Sequence, residues 1–97
     1  MAVLYLIGRL IAVAAAILAA IIALGIVLYV LGANPSNGIV RFIHDLAHTL
    51  VGPFNGMFTL SDPKATLAVN WGIAMVVYLI VGWALNRLFT RVAPAEP

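Results

Sequence analysis

The sequence predicts an all-α membrane protein in which two transmembrane helices form a hairpin joined by an interfacial amphipathic helix. Three observations lead there. Hydrophobic residues make up 65% of the 97-residue chain and charged residues only 8%, against about 45–50% and about 25% in soluble domains. A chain this short has little interior in which to hide that surplus, so the surplus must face lipid. Two runs, Leu10–Ala33 and Ala65–Leu85, carry no charged side chain, and each is long enough for the ~20 residues that a ~30 Å hydrocarbon core demands. Between them lies a stretch holding both histidines, and it reads as a two-faced helix.

The expected layout is a single membrane domain over 1–97. A first transmembrane helix covers 2–33, a connecting segment 34–62 contains an amphipathic helix over 38–52, a second transmembrane helix covers 63–91, and 92–97 form a tail. The first apolar run exceeds the ~7–15 residues of a cleaved signal's core, so it reads as a retained anchor. Arg9 lies near its start and can snorkel to the headgroups. Within it Gly8, Ala12, Ala16 and Ala20 recur every fourth residue, with Ala15, Ala19 and Ala23 as a second row beside them. Small residues at that spacing make a face on which another helix can come close. The partner is either the second helix of the same chain or another chain.

Pro35 cannot continue a helix and disfavours helical geometry at Asn34, which marks the expected stop. Ser36 or Asn37 can cap the next helix. Stepping at ~100° per residue from Arg41, the polar residues Arg41, His44, Asp45, His48 and Thr49 fall within an arc of roughly 140°. Ile39, Val40, Phe42, Ile43, Leu46, Ala47, Leu50 and Val51 fill the opposite arc. Such a helix is too short to span and is expected to lie in the interface, apolar face down. Arg41, His44, Asp45 and His48 are then the candidate partner-binding surface. Gly52-Pro53 stops the helix. Asp62 at the N-cap and Pro63 at the first helical position start the last one. Trp71 and Trp83 stand where aromatic belts are expected. Asn70 either hydrogen-bonds across helices or meets interfacial water.

The formal charge of +2 and the lack of a basic stripe argue against nucleic acid as a partner. With no cysteine, disulfides and thiolate metal sites are excluded. His44-Asp45-Leu46-Ala47-His48 matches the H-E-x-x-H metalloprotease pattern with Asp for Glu, but a third ligand and a water-excluding cleft are wanting. His44 and His48 remain candidates for metal or haem ligation, weighed against a plain solvated face, and no cofactor is assigned. The excess of Arg9, Arg87 and Arg91 over Arg41 and Lys64 favours cytoplasmic termini.

Asn34-Pro35-Ser36-Asn37-Gly38-Ile39-Val40-Arg41-Phe42-Ile43, followed by Pro53-Phe54 and Ser61-Asp62-Pro63, resembles the repeat unit of the YggT family of small bacterial and plastid membrane proteins. The resemblance covers roughly 32–80, and its specific part is Asn34, Pro35, Val40, Arg41 and Phe42. The chain has one such repeat where members usually have two, places His44, Asp45 and His48 where the family is not associated with histidines, and lacks basic residues around Phe54–Phe58. The resemblance implies a bacterial inner-membrane, multi-pass protein with a non-enzymatic role in osmotic tolerance, division-site organisation or assembly of cytochrome complexes. The expected function is therefore a structural, accessory or assembly subunit, packing with itself as a homo-oligomer or with a larger membrane complex such as a respiratory one. An oligomeric pore or small transporter, and a metal- or haem-ligating protein, are the alternatives.

Overall fold

The computed structural model describes residues 2–92 and holds three α-helices: α1 (Ala2–Val30), α2 (Gly38–Val51) and α3 (Pro63–Val92). A short 3-10 turn, Gly52–Phe54, follows α2. The helices α1 and α3 are both long and apolar enough to cross a bilayer. The expected tail falls outside the described residues from 93 onward, while Val92 still belongs to α3.

Helix α1 ends at Val30, three residues short of the expected 33, and glycine ends it before proline is reached. Gly32 adopts φ +74°, the left-handed geometry that costs a residue without Cβ nothing. Its N–H donates to the Tyr29 carbonyl at 3.0 Å, and the Ala33 N–H donates to the Leu28 carbonyl at 2.8 Å. This pair of bonds is the Schellman motif, which satisfies carbonyls that the helix end leaves open. Asn34 Oδ1 then accepts from the Ser36 N–H at 2.9 Å. Of the two candidate caps Asn37 is the one used, its Oδ1 accepting from Ile39 N–H at 2.9 Å and Val40 N–H at 3.3 Å. At α3, Asp62 caps as expected, with Oδ1 accepting from Lys64 N–H at 3.1 Å.

α1 and α3 pack antiparallel along their length. Gly8 faces Asn86 and Phe89, Gly82 faces Ala15 and Ala12, and Gly25 faces Trp71. The contact is closest at Gly82, where an added methyl would overlap the Ala15 side chain. The small residues of α1 are thereby divided. Gly8 is buried and Ala12 partly so, whereas Ala16 and Ala20 stay exposed. The line of contact drifts onto Ala15, Ala19 and Ile22, all buried. A straight helix turns at 3.6 residues, so a strict four-residue row rotates away from a straight partner.

Helix α2 does not lie with its whole apolar arc in one direction. Its contacts with α1 step backwards: His44 stacks near Tyr29, Ala47 meets Gly25, and Val51 shares a buried cluster with Ile22. α2 therefore runs antiparallel to the last turns of α1 and turns at Gly52, where φ is +49°. The chain then returns along α3, with Asn55 beside Trp71 and Phe58 beside Asn70. Half of the apolar arc, centred on Ala47 and Val51, packs against α1 and α3. The other half stays uncovered, with Ile39 71% and Phe42 65% exposed. The helix is thus three-sided: protein on one side, an exposed apolar wedge on the second, polar residues on the third.

One comparison checks the interhelical contact. Gly82→Ala is expected to destabilise the hairpin by about 1–3 kcal/mol through overpacking. Ala16→Leu, on the exposed side, should leave it within about 0.5 kcal/mol. Detergent-unfolding curves of the two variants test this, and equal stabilities would contradict the assigned packing face.

Candidate functional site

His44, His48 and Asn55 of the connecting segment converge on Trp71, which is 1% exposed. Sequence position suggested a belt residue in contact with the interface. Instead α2 covers Trp71, whereas Trp83 remains 60% exposed. The His44 ring lies 5.2 Å from the Trp71 ring and 6.2 Å from the Tyr29 ring, centroid to centroid. His48 approaches Trp71 edge-on at 6.3 Å. A buried indole N–H requires an acceptor, and here it donates to Asn55 Oδ1 at 3.3 Å.

That bond fixes the rest of the chain of donors. Because indole can only donate, the Asn55 oxygen faces Trp71 and the amide nitrogen faces away. Asn55 Nδ2 then donates to His48 Nε2 at 3.1 Å. His48 Nε2 is the acceptor in this arrangement. A second clasp lies one residue from Trp71. Asn70, 1% exposed, accepts from the Phe58 N–H at 3.0 Å and donates to the Phe58 carbonyl at 2.9 Å. It holds the returning loop rather than reaching across helices or meeting water. Thr66 Oγ1 accepts from Leu60 N–H at 2.9 Å, and the Tyr78 hydroxyl donates to the Leu50 carbonyl at 2.7 Å, satisfying an open end of α2.

The four residues expected to form one polar surface are therefore divided by role. His44 is half-buried as part of the aromatic stack, and His48 is exposed but engaged through Nε2. Arg41 and Asp45 are exposed and line a half-open groove of ≈470 Å³ together with His44, Tyr29, Leu28 and Val40. The two imidazoles stand 6.3 Å apart and tilted. No group of three His, Cys, Asp or Glu side chains placed to hold a metal occurs among the described residues. Sequence reasoning missed Tyr29, Asn55 and Tyr78. The available signal was chemical: an indole N–H and a phenol within an apolar helix each need a partner, and Asn55 is a nearby loop amide.

The relay from Trp71 through Asn55 to His48 predicts a coupling. Asn55→Ala leaves the buried indole without an acceptor and is expected to cost about 1–3 kcal/mol. Adding His48→Ala should then cost less than it does alone, because both side chains belong to one network. Unfolding followed by Trp71 fluorescence in a Trp83→Phe background measures the cycle, and strict additivity would show that the relay carries no shared energy. No family model, no curated protein and no solved structure matches the chain.

Proposed function

We propose that the protein is a non-enzymatic membrane hairpin that acts as a structural, accessory or assembly subunit by docking its outer helix face on another helix. The observation that carries this reading is how the chain uses its polar groups. Asn55, Asn70, Thr66 and Tyr78 are engaged in bonds that hold the connecting segment to α3, and His48 is bonded to Asn55 within that segment, so these polar groups serve the fold. The uncovered resource is apolar: Val13, Ile17, Leu24 and Val27 are exposed along α1, and Ala16 and Ala20 are exposed on the same helix. Small residues there permit close approach of a second copy or of a helix from a larger complex. The similarity to the YggT repeat, carried by Asn34, Pro35, Val40, Arg41 and Phe42, supports the same reading and a bacterial inner membrane as its place. A single repeat suits pairing of two copies into the usual two-repeat unit.

The alternatives draw less support. A pore asks for polar residues along a span, and α1 offers only Arg9 and Tyr5 before its last turn. Ligation of metal or haem through both histidines asks for two free ring nitrogens on one side, whereas His48 Nε2 is occupied by Asn55.

Because Ala16 faces outward, Ala16→Leu separates association from folding. The expected result is an unchanged unfolding curve with crosslinked dimers or co-purified partners reduced, since the larger side chain blocks close approach. Unchanged crosslinking would show that this face meets lipid alone. The charge distribution further predicts that an export-dependent reporter fused after Pro97 stays inactive and a cytoplasmic one works.

A further inference from the structure

The groove between the end of α1 and the start of α2 has a composition that the docking role does not use. Its floor is apolar, with Leu28 from α1 and Val40 from α2, and Tyr29 and His44 line it as aromatic and imidazole rings. Arg41 and Asp45, one turn apart on α2 and both exposed, border it. From Arg9 to Tyr29 is about 30 Å of helix, the thickness of the hydrocarbon core. With Arg9 at one boundary, the groove opens at the headgroup level of the other.

We propose that this groove binds a phospholipid with a zwitterionic phosphoethanolamine headgroup. The charges select it. A guanidinium binds phosphate oxygens with directed N–H groups, and the neighbouring carboxylate takes an ammonium one helical turn away. A net-anionic headgroup lacks the cation that Asp45 calls for and is repelled by it. A quaternary ammonium carries no N–H with which to bond a carboxylate, and it favours a cage of aromatic faces, where this groove offers a single phenol. The apolar lining of Leu28 and Val40 receives the glycerol and the first carbons of the acyl chains. With a volume of ≈470 Å³ the groove accommodates a headgroup and its glycerol, not a whole lipid.

The assignment rests on the reading of α1 and α3 as membrane spans, and the experiment keeps the two apart. Protein purified from membranes in mild detergent is incubated with phosphatidylethanolamine, phosphatidylcholine or phosphatidylglycerol of matched chains, and retained lipid is counted by native mass spectrometry. The expected result is retention of the ethanolamine lipid several-fold above the other two. Arg41→Ala should lower that retention about tenfold, the loss of one charge-assisted bond. Asp45→Asn should bring ethanolamine and choline lipids level while keeping the phosphate contact. Both side chains are exposed, so unchanged unfolding curves are expected for the lipid-free variants. Equal retention of all three lipids by the unaltered protein, or an Asp45→Asn variant that keeps the preference, overturns the assignment alone. Recovery of the protein in the soluble fraction overturns the spans and the assignment together.

Discussion

Backbone that leaves a helix beside apolar surface must find its hydrogen-bond partners within the chain, and that requirement governs the connecting segment. In hydrocarbon each unsatisfied N–H or C=O costs several kcal/mol. The 52–62 return runs next to α3, and several of its N–H groups find partners within the chain. Asn55 N–H turns back on the Gly52 carbonyl and Met57 N–H on Phe54. Asn70 takes both groups of Phe58, and Thr66 takes Leu60 N–H. Thus α3 acts as a ladder of side-chain partners on one face while remaining apolar on the others. Thr66 and Asn70, about one turn apart on α3, serve that task.

The hairpin contact is governed by a different quantity, the distance between helix axes. Gly8, Gly25 and Gly82 each stand where a side chain would strike the neighbouring element. Glycine in a helix interior costs about 0.5–1 kcal/mol against alanine, a cost offset here by close packing. In a bilayer, dispersion contacts between backbones replace the hydrophobic drive that water supplies to soluble cores. Gly25 has a further part, since it admits both Trp71 and Ala47 and so lets three elements meet at one level.

How much of this was legible depends on which contrasts a sequence records. The two long helices followed from the lack of charge over their length, and the caps at Asn37 and Asp62 followed from side-chain chemistry local to each turn. The stop at Gly32 was hidden, because a glycine inside an apolar run looks like one more small residue until its φ is known. The roll of α2 was hidden for a more general reason. Polar and apolar residues separate cleanly around its wheel, but a residue facing lipid and one facing protein are both apolar, so Ala47 and Phe42 look alike. The same loss of contrast put Trp71 in a belt and set Ala16 in one row with Gly8. His44 and His48 were singled out by spacing, yet their surroundings come from Tyr29, Asn55 and Trp71, far away in sequence.

The convergence on Trp71 also sets an order of events during synthesis. Gly25, His44, His48 and Asn55 all precede Trp71 in the chain, and each contacts it. The connecting segment therefore leaves the ribosome before the residue on which it closes. At about 5–20 residues per second, the interval between Asn55 and Trp71 lasts roughly one to three seconds. Through that interval the Asn55 amide, the Phe58 peptide groups and the packing side of α2 await their partners. Arrival of α3 then supplies those partners, so a helix made later is the template on which the earlier segment takes its shape.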